Sequence, residues 1–283
     1  MEKQFFEKPT VYVGGLSINV TDLDKSLQFY QEIVGFNVLE KTNNKAVLTA
    51  DGKNALLTIE QPSDVVPKES KTTGLYHFAI LLPSRADLSA FLKHVIRSGV
   101  QLGASDHHVS EALYFSDPDG NGIEVYRDRP ASEWIWNNNQ VHMVTDPLDG
   151  NGLLAESQKE WNGLPEETVM GHIHLHVSDL KTTEDFYMGG LGFDIVTTYP
   201  GALFTSTNGY HHHIGLNVWN GVGAKAPSKN SVGLNWYTLV YPDEAKRMEV
   251  VKQLQSKGYE VIKKQDKYVV EDPSKNAIHM VIK

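Results

Sequence analysis

Three side chains in this sequence have the types and spacing to hold a divalent metal: His77 in GLYHFAILLP, Glu124 in DPDGNGIEVYRD and His172 in GHIHLHVSDL. Two neutral imidazoles and one carboxylate form a facial set that leaves coordination positions free, which suits non-haem Fe(II), with Mn(II) as the alternative. Each residue taken singly is weak evidence. A lone strand histidine is more often a hydrogen-bonded residue at a sheet end, and a lone strand glutamate is more often solvated. What joins them is a repeat: DPDGNGIEVYRD has a degraded copy in DPSKNAIHMVIK, where His279 takes the place of the glutamate. A calcium loop competes for the first copy, because Asp117, Asp119, Asn121, Gly122 and Asp128 fall near the ligand positions of such a loop. Its flanks read as strands rather than helices, and Pro118 with Gly120 suits a tight hairpin, so calcium is the weaker reading.

Period-two alternation assigns these residues to faces. In HIHLHV, Ile173, Leu175 and Val177 pack on a helix while His172, His174 and His176 face the open side. In YHFAILL, Phe78, Ile80 and Leu82 take the helix side and His77, Ala79 and Leu81 lie opposite. Both strands place a histidine five residues before the last helix-facing residue, where two further strands carry Gly15 and Trp236. Ile123 and Val125 face the helix, so Glu124 shares the open face with His77.

The elements that position these residues also repeat. Ser17 to Leu39 overlays His174 to Val196 at a constant offset of 157, keeping the D-L, F-Y and G-F pairs that start a helix, bury it and end it. Four modules of strand, helix and three strands follow. Module one runs from about Thr10 to Gln61, with a helix from Asp22 to Val34, and module two from about Gly74 to Arg127. Module two's helix starts with capping-box-like spacing of Ser84 and Asp87, carries a stripe of Leu88, Phe91, Leu92, Val95 and Ile96, and stops at Gly99. Module three begins at HIHLHV and ends at HHHIGLNVW. Module four begins at LNWYTLVY, has a helix from about Asp243 to Lys257, and ends at AIHMVI. The expected fold is α+β, with residues 1–130 as one domain, 131–169 as an ordered linker without sustained periodicity, and 170–283 as a second domain. Pairing decides whether a metal site closes. Joining modules one with two and three with four gives two incomplete sites, whereas joining two with three brings His77, Glu124 and His172 together and leaves Gly15, Trp236 and His279 as a relic. The second pairing is the expected one.

Bulk composition narrows the function further. The 283 residues, 40% hydrophobic and 22% charged, describe an ordinary globular protein, and a net charge of -9 without a Lys/Arg cluster argues against nucleic acid. No run approaches the ~18 apolar residues of a membrane span, and the start lacks the apolar core of a signal peptide. With no cysteine there is no disulfide framework, thiolate nucleophile or thiolate-held metal, and a cytoplasmic enzyme fits.

These motifs resemble the vicinal oxygen chelate superfamily (glyoxalase, bleomycin resistance and extradiol dioxygenase proteins), and within it the catechol 2,3-dioxygenases. The likeness covers nearly the whole chain and is most specific in GLYHFAILLP, DHHVSEALYFSDPDGNGIE, GHIHLHVSDL and GYHHHIGLNVW. It implies paired βαβββ modules forming curved half-barrel sheets with helices outside, and ring opening of a small aromatic diol by dioxygen beside its hydroxyls. His77, Glu124 and His172 match the family's iron ligands, Tyr114 its substrate-side tyrosine, and His107, next to His108, its loop histidine. The acid-base histidine falls within His211, His212 and His213. Alignment favours His212, whereas strict alternation puts His211 and His213 on the concave side. Many two-domain extradiol enzymes hold iron between their last two modules, and this sequence departs from them by placing its intact ligands in modules two and three. A glyoxalase-type lyase or isomerase is the enzymatic alternative, disfavoured because IGLNVWNG has no second acid. A metal-free binding module has no use for the triad. The homo-oligomeric state stays open.

Overall fold

A computed structural model describes residues 4–283. Its strands form two eight-stranded sheets and one small hairpin. One sheet joins module four to module one, with Gly233–Tyr241 antiparallel to Tyr12–Asn19 at its centre. The other joins module three to module two, with Val169–His176 antiparallel to Gly74–Leu81. In each module the first strand pairs in parallel with the last, as Gly74–Leu81 does with Gly122–Asp128. The fold is therefore α+β, built from repeated βαβββ modules, with a sheet curled into a half-barrel and helices packed outside.

Local chemistry sets the helices. Asp22, Ser84, Asp179 and Asp243 each cap a helix N-terminus by accepting a backbone N–H three residues on, satisfying a donor the helix leaves free. Module one's helix, Leu23–Phe29, continues as a wider π turn over Tyr30–Val34 and is ended by Gly35 at φ 93°, a left-handed conformation that favours glycine. In Arg85–Arg97 the residues Leu88, Phe91, Leu92 and Val95 are buried. Ile96, expected in the same stripe, is 53% exposed because it falls one position past the buried face in the last turn.

Neighbouring modules are also tied through their repeated turns. Asp117 accepts from the backbone N–H groups of Asp119 and Asn121 and from the Asn121 amide, and Tyr30 Oη donates to it at 2.9 Å. Asp272 makes the equivalent bonds to Ser274 and Asn276, with Tyr187 Oη at 3.0 Å. Both carboxylates are thus occupied by fixed donors, which leaves no calcium loop at DPDGNG.

Residues 131–169 are more structured than their composition suggested. They contain a hairpin of Trp136–Asn137 with Gln140–Val141 and a helix over Gly150–Ala155, and they bury Leu153 and Leu164 in the main core. The expected last strand of module three also begins later, at Ile214, so His211, His212 and His213 precede it in irregular backbone.

Candidate metal centre

One row of residues crosses the module two and three sheet: His172 pairs with Ala79, Ala79 with Glu124, and Glu124 with Tyr114. His77 lies two residues from Ala79 on the same face. Ala79 is fully buried, and as the smallest side chain in the row it lets His172 and Glu124 approach across it. Glu124 Oε2 is 3.1 Å from both His77 Nε2 and His172 Nε2. One ligand atom from each of the three residues falls within 4.8 Å of the others, the only such group of three or more among the described residues. Gly122, opposite His77, has no room for a side chain, since a Cβ there would sit 2.2 Å from Tyr76 O.

Not every histidine on this face joins the group. His174 Nε2 accepts from Asn217 Nδ2 at 3.0 Å, and His176 Nδ1 donates to Asn217 Oδ1 at 2.7 Å. The asparagine thus holds both rings away from ligand duty.

The donor set fits a divalent ion. Burial works to raise the Glu124 pKa, but His172 and His77 beside it more than offset this and hold the carboxyl well below its usual range. Burial lowers the His172 pKa, although Glu124 pulls the other way. An ionised carboxylate beside a neutral imidazole is the state metal binding requires. His77 Nε2 is buried and makes no directional hydrogen bond, leaving its lone pair for a ligand role. His172 Nδ1 has no hydrogen-bond partner either, so packing against His212, at 4.1 Å between ring centroids, and Tyr126 fixes that ring. These residues form a His/His/Glu site able to chelate a divalent metal.

The site opens into a cavity of about 330 Å³, within the size range of small-molecule pockets. Phe204, Met143, Val109 and Trp219 give it apolar walls, and Tyr114, His107 and His212 line it. His107 Nδ1 donates to Val144 O at 2.6 Å, so its Nε2 accepts from Tyr114 Oη, also at 2.6 Å. Burial and the Glu124 charge push the Tyr114 pKa well above its ordinary value, keeping the phenol neutral. The His212 ring reaches the cavity. Burial, followed by the neighbouring His172 and His211 rings, holds its pKa well below the ordinary imidazole value. The other candidates lie elsewhere: His108 is half exposed beside Asp146, His211 faces Asp128, and His213 Nε2 donates to Phe5 O at 3.2 Å.

The model of the Glyoxalase/Bleomycin resistance protein/Dioxygenase superfamily matches residues 12–125 and 169–280. The chain belongs to this superfamily. Within it, the chain is 48% identical over 271 residues to a catechol-2,3-dioxygenase from Bacillus subtilis, covering 94% of this chain and 95% of that protein. The fold is shared with a solved candidate dioxygenase from Bacillus subtilis, at TM-score 0.67 and 13% identity over 97% of this chain and 86% of that one. It is shared also with glyoxalase I from Zea mays, at TM-score 0.56 and 15% identity over 96% and 92%. Membership of the superfamily agrees with the metal-binding triad, and the chain is a metal-dependent enzyme of this kind.

Some of the cavity lining could not be read from sequence. Met143, Val144 and Thr145 close the cavity from a segment with no periodic signal, anchored by Val144 O on His107 and by the pairing of Asp106 with Asp146. Tyr76, Tyr199 and Phe204 also line it. All three lie in strands, Tyr76 in Gly74–Leu81, Tyr199 at the end of Asp194–Tyr199 and Phe204 in Ala202–Ser206, and alternation puts Tyr76 on the helix side with Phe78, so its place in the cavity wall was not readable that way.

Proposed function

We propose that this chain is an extradiol dioxygenase that opens the ring of catechol or a substituted catechol beside its hydroxyls, with Fe(II) held by His77, Glu124 and His172, or Mn(II) as the alternative. The observation that carries the reading is the meeting of that triad with Tyr114, His107 and His212 in one apolar cavity. The 48% identical relative named catechol-2,3-dioxygenase supports it, as does the fact that Glu124 is the only acid lining the cavity among the described residues. A metal bound there supplies charge stabilisation and brings diol and dioxygen together.

The chain's own residues supply the rest. Phe204, Met143 and Val109 offer apolar surface to the ring and exclude water. His212, neutral in its buried setting, takes a proton from a substrate hydroxyl. Tyr114 spends its proton on His107, so its oxygen lone pairs are free to accept a hydrogen bond from the substrate. Such an enzyme needs only small partners, an aromatic diol and dioxygen, and suits the cytoplasm.

The test is anaerobic loading with Fe(II), then oxygen uptake on a panel of catechols. Uptake with a yellow ring-fission product is expected. No uptake across the panel, with turnover of a glutathione adduct instead, moves the chain to glyoxalase-type chemistry.

A further inference from the structure

Behind His212 runs a chain of hydrogen bonds, buried at both histidines, that ends on the partly exposed Asp128 carboxylate. His212 Nδ1 is 2.8 Å from His211 Nδ1, and His211 Nε2 is 2.8 Å from Asp128 Oδ1. Asp128 Oδ1 also accepts from Tyr210 Oη at 3.2 Å, and Tyr210 in turn is 2.7 Å from Tyr126 Oη. The His211 ring is fully buried, with Tyr210 4.0 Å from it and Trp134 5.2 Å away between centroids. It is held in one orientation.

The polarity of this chain follows from what each group can do. A carboxylate oxygen only accepts, so His211 Nε2 carries the proton of the His211–Asp128 bond. A His211 ring that carries this one proton has a bare Nδ1, which only accepts. The proton in the next bond must therefore sit on His212 Nδ1, which leaves His212 Nε2 bare.

We propose that Asp128 and His211 are positioning residues that lock His212 in the tautomer whose bare Nε2 serves as proton acceptor for the substrate hydroxyl. This deepens the ring-cleavage reading and rests on it for the identity of the substrate. Neither residue is needed as a metal ligand or touches the diol. The arrangement follows the general rule that the hydrogen bond made by one ring nitrogen decides the state of the other. Without the carboxylate, His211 can adopt either tautomer and His212 loses its fixed one.

The experiment uses 15N-histidine-labelled protein loaded with diamagnetic Zn(II), followed by NMR of the His212 ring. In the wild type we expect a protonated Nδ1, a pyridine-type Nε2, and a scalar coupling across the bond between His212 Nδ1 and His211 Nδ1. Asp128→Ala and His211→Phe should lose that coupling and mix the tautomers. In the iron enzyme both should lower kcat roughly ten- to hundredfold, the cost typical of an orienting partner, with KM and iron content nearly unchanged. A protonated Nε2 in wild-type His212 overturns the proposal whether or not catechol is cleaved. So does an unaltered His212 spectrum in Asp128→Ala, even with lowered thermal stability, because that marks a merely structural role. A wild type with the expected tautomer but no oxygen uptake on catechols leaves this inference standing and removes the ring-cleavage reading instead.

Discussion

Ala79 carries no reactive group, yet it separates His172 from Glu124 in the row across the sheet. Ala79→Leu should therefore force the two ligands apart and weaken Fe(II) affinity by at least ~10-fold, the lower end for a disturbed supporting position, while Ala79→Ser should not. Anaerobic titration with Fe(II) measures this, and equal affinity for both variants would remove Ala79 from the account. His212→Phe should keep iron and lower kcat by the ~10²–10⁴ expected for loss of a positioned proton acceptor, with His213→Phe near normal in kcat. Steady-state kinetics on metal-matched samples checks it. The triad itself was legible because His77, Glu124 and His172 sit inside regular strands, where period two assigns the face. Choosing among His211, His212 and His213 by alternation was not possible, because Asn208 and Gly209 take positive φ and the strand starts only at Ile214. Between His107 and His108, named from the family likeness in favour of His107, alternation gives no guide either, because His108 adopts φ 65° and turns toward Asp146.

At the level of elements, the repeated turns hold the modules to one another. Tyr30→Phe removes one donor from the buried Asp117 carboxylate and should cost about 1–3 kcal/mol, with a similar cost for Tyr187→Phe at Asp272. Urea unfolding measures both, and a loss below a few tenths of a kcal/mol would show that the backbone donors suffice. These turns were visible as a sequence repeat, but their tyrosine partners were not, since nothing local to Asp117 points to a residue 87 positions earlier. The closing segment around Val144 was equally hidden, because it gains its shape from contacts with module two rather than from its own pattern. A buried histidine gives this part of the chain a pH dependence. Burial takes His213 from 6.5 to about 3. Its folded pKa lies below the unfolded one, so between those values the unfolded chain binds the extra proton and stability falls as pH drops. The slope is up to ~1.4 kcal/mol per pH unit below about 6.5, ending near pH 3. His213→Gln should flatten this acid limb in unfolding measured from pH 7 to 4, and an unchanged slope would assign it to other groups.

Across the whole molecule, the modules pair crosswise, two with three and one with four, and among the described residues this brings together one group able to hold a metal. The expected pairing came from asking which combination completes a ligand set, and the sheet order agrees with it. The other sheet repeats the strand order, but among the described residues it brings no such ligand group together. Trp236 stacks on His279 at 4.4 Å, Lys267 Nζ approaches His279 Nδ1 at 3.2 Å, and Gly15 offers no donor. Burial and the nearby lysines also push the His279 pKa down to about 4, and a cation at that distance opposes a bound metal ion. The most direct test is the metal content per chain, measured by elemental analysis after anaerobic Fe(II) loading and removal of excess, for the wild type, Glu124→Ala and His279→Ala. One iron in the wild type, one in His279→Ala and none in Glu124→Ala is the expected result. Two irons per chain, or a site emptied by His279→Ala and retained in Glu124→Ala, would contradict a single centre built by modules two and three.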